Sequence, residues 1–271
     1  MVSDILRISL VQFDSRWEDV RFNLLRLESM MQPLVGKTDM IILPEMFATG
    51  FSMNTETICT ADNYKESTQW MKQQAQITGA MLVGGMAVKD TSPLSCGEGS
   101  GERSEPCYNR LHWISPDGNA GQYDKHFLFS MSAEPQHYIP GTEKKRFEWR
   151  GWQIKPIICY ELRFPEWCRN TRINPYDILI CIASWPSVRS DVWLTLLKAR
   201  ALENQCYVVG VNRVGTDGYG LHHKGDSIVY CPKGKTITQI PENEENIVTV
   251  ELSLSEMNNF RKKFSVLNDI E

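Results

Sequence analysis

The chain has 271 residues, enough for one large domain with a substantial core, and a formal net charge of −4. Charges of both signs are interspersed, which predicts neither a nucleic-acid partner nor a membrane-surface partner, and no apolar run approaches the length of a membrane span. Met1 to Ile5 lead directly into a strand-like run and not into a signal peptide. We therefore expect a cytoplasmic protein with a single domain over residues 1–271.

The eight cysteines are scattered along the chain and form no CxxC pair. This spacing matches neither a zinc site nor the disulfide framework of a small secreted domain. We expect reduced thiols, one of which could be catalytic.

Helical and strand patterns alternate, and the strands are continuously apolar, which is typical of an α/β layered fold. Helices are predicted at 17–34, 63–78 and 191–204, with another starting near 162. Strands are predicted at 6–13, 39–43, 80–88, 108–114, 147–152, 155–160, 178–183, 207–212, 226–231, 236–240 and 246–252.

Two segments lie outside this alternation. Residues 91–106 are rich in Gly and Ser and predict a mobile loop insert. Residues 255–271 are polar and mixed in charge, so we expect a C-terminal arm that either packs on the domain or is partly disordered.

One cysteine, Cys159, lies where a buried strand gives way to a helical pattern near Leu162. This is the position of a nucleophile elbow, where the first N–H groups of the helix have no intrahelical partner. Those groups can lower the pKa of the Cys159 thiol and hold a developing oxyanion. The alternative is that Cys159 is a small buried apolar side chain.

Two charged residues could serve this thiol. Glu45 ends a buried strand, at the place where α/β proteins bind ligands, and could act as a general base. Lys125 lies in a polar cluster and could stabilise a negatively charged tetrahedral intermediate. The alternatives are a solvent-facing glutamate and a surface lysine. Glu134, nine positions after Lys125, belongs to the same loop system.

Competing hypotheses use the histidines. His126, His137, His222 and His223 could bind a metal or supply a Cys–His dyad, but no HExxH spacing and no papain-type signature is present. The Gly-rich segments match neither the P-loop nor the dinucleotide fingerprint. We therefore expect no metal and no organic cofactor.

With Glu45, Lys125 and Cys159 in this order, the chain resembles the nitrilase superfamily of carbon–nitrogen hydrolases. Three motifs carry the resemblance: LPEMFATGF at 43–51, YDKHFLF at 123–129 and ICYELRFP at 158–165. Further similarity at 184–186, 200–204, 212–215 and 225–227 extends it over nearly the whole chain. The resemblance implies an αββα sandwich that dimerises through helices.

The resemblance also implies roles. Glu45, Lys125 and Cys159 match the family's general base, catalytic lysine and nucleophile, and Glu134 matches its second, structural glutamate. The Tyr160 backbone N–H and Lys125 would hold the oxyanion on the way to a thioester acyl-enzyme.

The stretch at 134–138 and the Ser-Trp-Pro motif at 184–186 are most similar to the omega-amidase branch. That branch hydrolyses the distal amide of small 2-oxo acids such as 2-oxoglutaramate. The alternatives with the same triad are a deaminated-glutathione amidase, an aliphatic amidase and an N-carbamoyl hydrolase. A non-catalytic binding or scaffold protein that kept the fold is the alternative from a different class.

An anionic substrate needs a cation in an otherwise apolar pocket. The candidates are Arg163, Arg189 and Arg213, of which Arg163 belongs to the nucleophile motif. The expected aromatic walls are Phe129, Tyr138 and Trp185, with Phe47 as a further candidate. For Phe47 and Phe129, packing in the core is the competing interpretation.

Overall fold

The computed structural model describes residues 3–89 and 107–269. Its strands are β1 (Ile5–Gln12), β2 (Met40–Ile42), β3 (Met81–Lys89), β4 (Cys107–Ile114), β5 (Ala120–Asp124), β6 (Phe147–Trp149), β7 (Trp152–Ile158), β8 (Ile178–Ala183), β9 (Tyr207–Asn212), β10 (Val214–Thr216), β11 (His222–Lys224), β12 (Ile228–Tyr230), β13 (Thr236–Gln239) and β14 (Asn246–Ser253). Its helices are α1 (Val20–Met31), α2 (Thr55–Ile58), α3 (Ala61–Thr78), α4 (Glu134–His137), α5 (Pro165–Cys168), α6 (Ser190–Asn204) and α7 (Leu254–Lys263). Short 3₁₀ turns cover Gln32–Leu34, Cys159–Arg163, Ser187–Arg189 and Val266–Asp269.

Twelve of these strands form two six-stranded sheets, in the orders β14-β1-β2-β3-β4-β5 and β13-β12-β9-β8-β7-β6, and β10 and β11 form a separate hairpin. The centre of each sheet is parallel, formed by β1-β2-β3 and by β7-β8-β9, and the outer strands are antiparallel. Because the carboxyl ends of parallel strands share an edge, the segments after β2, β7 and β8 can meet. Glu45, Cys159 and Ser184 follow these three strands.

Each sheet packs one face on the other sheet and one face on helices. Leu10 of β1 and Ile182 of the second sheet belong to one buried cluster, whereas Val11 of β1 belongs to another, together with Leu27 of α1. Successive residues of β1 thus face different layers, as the period of a strand requires. Trp193 of α6 covers the outer face of the second sheet, beside β9. This is the expected αββα sandwich.

The segment after Cys159 differs most from the expected secondary structure. A five-residue 3₁₀ turn and the single-turn helix α5 replace the helix predicted from Leu162. Pro165 disfavours a helical conformation at Phe164, whose φ and ψ are −107° and 93°, so a second helix has to start at Pro165. The preceding strand ends at Ile158 because Cys159 adopts a left-handed φ of 48°.

The C-terminal arm is packed over its described part. It forms α7, which buries Met257, followed by a 3₁₀ turn that buries Leu267. The strand β5 and the hairpin β10–β11 were not predicted, because both are short and lack a clear apolar alternation. The predicted insert at 91–106 lies outside the described residues. No helix in the described ranges is long and apolar enough to cross a membrane.

Candidate active site

Glu45 is placed by a close approach between the turn after β2 and the strand β3. A Cβ atom on Gly85 would lie 3.0 Å from the Cα of Glu45 and 2.8 Å from Ile182, so only glycine lets the backbones come this near. The Gly85 N–H donates to the carbonyl of Pro44 at 3.2 Å, and Phe47 N–H donates to the carbonyl of Gly85 at 3.1 Å. The Glu45 side chain is consequently buried between the two sheets, with 2% exposed.

Four side chains form a buried polar cluster, which we define as Glu45, Asn109, Lys125 and Glu134. Each is at most 2% exposed. Lys125 Nζ lies 2.9 Å from both carboxylate oxygens of Glu134 and 3.2 Å from Oε1 of Glu45. Asn109 Nδ2 donates to the same Oε1 of Glu45 at 2.7 Å and to Oε1 of Glu134 at 3.0 Å. The structure therefore brings Glu45, Lys125 and Glu134 into one network, and Asn109 joins them.

The charges of this cluster hold Lys125 in its ammonium form. Burial alone would lower the pKa of Lys125, but the negative charges of Glu134 and Glu45 outweigh it and raise the pKa well above its usual value. The Phe51 ring lies 5.2 Å from the ammonium and adds a favourable cation–π contact. A cation that is fixed and desolvated in this way can stabilise an oxyanion without reorganising.

Cys159 lies at the first position of the 3₁₀ turn after β7, and its φ of 48° pushes the side chain out of the sheet. Burial raises the pKa of its thiol well above the ordinary value, the negative charge of Glu45 raises it further, and Lys125 opposes both. The expectation of a lowered thiol pKa is therefore wrong for the free protein. The resting side chain of Cys159 is therefore a thiol, which would have to lose its proton to act as a nucleophile.

Glu161 is a further buried carboxylate. Its hydrogen bonds connect the turn that starts at Cys159 to the segment that contains Lys125. Its Oε2 accepts from the N–H of Ile158 at 2.7 Å, and its Oε1 accepts from the N–H of His126 at 2.7 Å and from the hydroxyl of Tyr123 at 2.5 Å. Sequence reasoning missed this role, although Glu161 stands two residues after Cys159 in the nucleophile motif.

The segment after β8 completes the surroundings of Glu45. The Ser184 N–H donates to Oε2 of Glu45 at 2.8 Å, so both carboxylate oxygens have a fixed partner. Asn212 anchors the same segment, because its side chain accepts from Trp185 N–H at 2.8 Å and donates to the Trp185 carbonyl at 3.0 Å. The Ser-Trp-Pro motif thus fixes the Glu45 carboxylate and also presents the Trp185 ring to the cleft.

A cleft of about 340 Å³ opens above Cys159 and Lys125. Its walls are mainly apolar and are formed by Phe51, Met53, Phe129, Tyr160, Trp185, Pro186, Tyr219 and Leu221. Such a volume suits a small molecule. A larger open groove of about 550 Å³, beside Asp14 and Arg26, contains none of the cluster residues.

Two arginines also line the cleft. The Arg163 guanidinium lies 5.2 Å from the centre of the Trp185 ring, and that of Arg189 lies 5.6 Å from the centre of the Phe129 ring. Within residues 3–89 and 107–269, neither guanidinium forms a salt bridge. Both remain available to an anionic ligand.

Three predicted wall or cation residues lie elsewhere. Tyr138 is 3% exposed, and its hydroxyl donates to the Ser52 carbonyl at 2.6 Å, so the expectation that it forms a wall of the cleft is wrong. Arg213 is also excluded from the cleft, because it is buried and pairs with Asp14 at 2.9 Å. Phe47 packs in the outer core against Trp70, as its competing interpretation expected.

The hairpin β10–β11 contributes a rim that the sequence did not indicate. The Tyr219 ring packs edge-on against Trp17 at 5.0 Å, and its hydroxyl accepts from the N–H of Met53 at 3.0 Å.

All five histidines of the chain are described, and His223 is the one that lines the cleft. Burial lowers the pKa of His223 to about 4, and its Nδ1 lies 3.1 Å from the Leu221 carbonyl. The described parts of the chain contain no group of three or more metal-binding side chains.

Comparison with known proteins agrees with this geometry. The model of the carbon-nitrogen hydrolase family matches residues 7–262. The chain is similar to the omega-amidase YafV of Escherichia coli K12, with 38% identity over 98% of this chain and 97% of that protein. It is also similar to the 2-oxoglutaramate amidase of Bacillus subtilis, with 30% identity over 97% and 96% of the two chains.

A solved structure supports the fold. The CN-hydrolase superfamily protein of Xanthomonas campestris, whose crystal structure has an arsenic adduct in the active site, is 37% identical and superposes with a TM-score of 0.90 over 99% of this chain and 98% of that chain. The predicted αββα fold and the resemblance to the nitrilase superfamily are confirmed. The chain belongs to the carbon-nitrogen hydrolase family.

Proposed function

We propose that this protein is an omega-amidase that releases ammonia from the distal amide of small 2-oxo acids of the 2-oxoglutaramate type. The relatives named omega-amidase and 2-oxoglutaramate amidase support this activity. The observation that carries it is the cleft itself, in which Cys159 and Lys125 share an apolar space with Arg163 and Arg189. One end of the cleft supplies the chemistry for an amide, and the arginines supply charge for a carboxylate.

The first half of the reaction acylates Cys159. Glu45 takes the thiol proton as the sulfur attacks the amide carbonyl, and the C–S bond forms. The tetrahedral oxyanion is held by the Lys125 ammonium and by the backbone N–H of Tyr160. Glu45 then returns the proton to the amide nitrogen, the C–N bond breaks, and ammonia leaves behind a thioester.

The second half hydrolyses the thioester. Glu45 takes a proton from water, whose oxygen attacks the thioester carbonyl, and the same donors hold the second oxyanion. The C–S bond breaks, the proton passes to the sulfur, and the carboxylic acid product leaves. Glu134 keeps Lys125 in place through its two hydrogen bonds of 2.9 Å and takes no proton itself. The raised thiol pKa of Cys159 fits this order, because a resting thiol needs a base to take its proton as the sulfur attacks.

The arginines select the substrate. A guanidinium can bind a carboxylate through two parallel hydrogen bonds, and the apolar walls strengthen that interaction by excluding water. The rings of Trp185 and Phe129, over which the two guanidinium groups lie, would help to hold these groups in place. Neutral amides of similar size would lack this contact and bind more weakly.

The test is ammonia release from 2-oxoglutaramate, measured beside glutamine, asparagine, a deaminated-glutathione analogue, an aliphatic amide, an N-carbamoyl compound and a simple nitrile. We expect the highest kcat/KM for 2-oxoglutaramate. A preference for another member of the panel would contradict the proposed substrate, whereas the proposed catalytic mechanism would stand. Absence of ammonia from every member would contradict the amidase and favour a binding protein.

The location and assembly are part of the same proposal. The seven cysteines in the described residues are all free thiols, which supports a reducing compartment such as the cytosol. A homodimer is expected from the resemblance, and light scattering on the purified protein measures it.

A further inference from the structure

Asn109 is the third residue of β4, has none of its surface exposed and pairs with Ala87 of β3. Its carbonyl accepts from the backbone N–H of Lys125 at 2.9 Å. The residue that supplies the amide of the buried polar cluster therefore also fixes the backbone of the cluster's cation. None of the motifs quoted for the family resemblance contains it.

The side chain of Asn109 closes a ring of hydrogen bonds. The ring runs from Lys125 Nζ to Glu45 Oε1 (3.2 Å), to Asn109 Nδ2 (2.7 Å), to Glu134 Oε1 (3.0 Å) and back to Lys125 Nζ (2.9 Å). Two carboxylates share one ammonium here, so they repel each other with only one positive charge between them. Asn109 gives each of them a donor without adding charge.

The orientation of the amide follows from its partners. Carboxylate oxygens only accept hydrogen bonds, so the NH₂ group has to face Glu45 and Glu134. The Asn109 Oδ1 is then buried without a hydrogen-bond partner among the described residues. A buried acceptor without a partner costs stability. The fold tolerates this cost at a position where both N–H groups are aimed at the proposed base and its companion.

We propose that Asn109 is a positioning residue that keeps Oε1 of Glu45 engaged, so that Oε2 faces the proton of Cys159. This inference rests on the proposed amidase. Among the described residues, Oε1 of Glu45 has two fixed donors, whereas Oε2 has only the Ser184 N–H at 2.8 Å and keeps acceptor capacity. Because Asn109 does not line the cleft, its loss acts on the chemical step and leaves substrate binding nearly unchanged.

The test is Asn109→Leu, which keeps the number and branching of the side-chain heavy atoms and removes both donors. For 2-oxoglutaramate we expect kcat to fall by about 100-fold, the scale for losing one fixed donor to a reacting group, and KM to stay within about threefold, since uniform binding is unaffected. The acid limb of the pH–kcat/KM profile should move to higher pH, because the charged form of the base has lost a donor. A purely structural role would leave that profile in place.

Asn170→Leu is the matched control. Asn170 is also fully buried and donates two hydrogen bonds, to the carbonyls of Tyr176 and Asn204, both at 3.0 Å. Its loss should lower the melting temperature while the folded fraction keeps the wild-type kcat and pH profile. Equal losses of kcat in the two variants would overturn the proposal.

Asn109→Asp sharpens the test without a change of size. The new side chain, when ionised, would be a third carboxylate around one ammonium, whereas its protonated form can donate to one neighbour. We expect the activity of this variant relative to wild type to rise as the pH is lowered.

The possible outcomes have separate meanings. Wild-type kcat and an unshifted profile in Asn109→Leu would overturn the inference while the proposed amidase stands. Failure of both Asn109 variants to fold, beside a folded Asn170→Leu, would show a structural role only and also overturn it. A wild-type protein that releases no ammonia would refute the proposed function, and this inference with it.

Discussion

The buried polar cluster and the walls of the cleft differ in how their side chains are held. In the cluster, every charged group has fixed partners: Lys125 contacts two carboxylates, and both oxygens of Glu45 are engaged. On the walls, the guanidinium groups of Arg163 and Arg189 lie over aromatic rings and form no salt bridge within the described residues. In the cluster every charged group has a fixed partner, whereas the cleft walls keep their cations free of salt bridges within the described residues.

We therefore expect the buried polar cluster to determine the rate of the chemical step and the walls of the cleft to determine which substrate binds. A network whose charged groups are held by fixed partners is preorganised, so it can stabilise the same charge development in any amide. Cations without a salt-bridge partner in an apolar cleft favour the binding of a ligand of opposite charge, so they would select among amides. Changes in the cluster should therefore reduce kcat for every substrate, whereas changes in the walls should alter KM for anionic substrates.

The largest effect is expected for Cys159→Ala, since no thioester can form. Loss of a nucleophile typically costs more than about 10⁴-fold in kcat, and the fold should survive because Ala fits the same space. Steady-state ammonia release and thermal melting measure the two quantities. Cys231→Ala, at a half-buried thiol outside the cleft, should retain full activity. Activity remaining in Cys159→Ala would refute the assignment of Cys159 as the nucleophile.

Lys125→Met should weaken both catalysis and stability. It leaves Glu45 and Glu134 buried without a counter-charge, which typically costs about 3–5 kcal/mol, and it removes an oxyanion donor worth about 10²–10³-fold in kcat. Denaturant unfolding and kinetics measure these losses. The double variant Lys125→Met/Glu134→Gln should regain much of the stability and none of the activity. A double variant no more stable than the single one would contradict the charge argument.

Arg163→Met and Arg189→Met should raise KM for 2-oxoglutaramate by about 10–100-fold, because a hydrogen bond to a charged group is worth about 1.5–3 kcal/mol. Their kcat for a neutral amide should stay close to wild type. Arg172→Met, at an exposed position, is the control and should change neither constant. If both cleft variants bind the anionic substrate normally, the walls do not select for charge.

The smallest effect concerns the resting thiol. Burial and the charge of Glu45 raise the pKa of Cys159, so the reactive thiolate is scarce at neutral pH. Alkylation of Cys159 by iodoacetamide should therefore be slow at pH 7 and accelerate up to about tenfold per pH unit above it. Mass spectrometry of the modified peptide measures the rate. A rate that is fast and constant from pH 6 to 9 would indicate a preformed thiolate instead.

The sequence predicted most of the sandwich because its strands are long apolar runs with clear boundaries. It failed where sterics at single residues override a periodic pattern, as at Phe164 and Pro165, which split the expected helix. It also failed at the short hairpin β10–β11, where three-residue strands carry too few side chains for an alternation to be read.

The sequence by itself determined which charged residues and which cysteine follow buried strands, because strand ends are marked by local patterns, and the resemblance then assigned their roles. Only the tertiary structure decided which side chains meet. Asn109 and Glu161 were not predicted as site residues, since their roles depend on strands and turns far apart in the chain. Tyr138 was expected to form a wall of the cleft, but its hydroxyl donates a hydrogen bond to the Ser52 carbonyl. The burial of a side chain and its hydrogen-bond and ion-pair partners depend on how the chain packs, so they cannot be read from the order of the residues alone.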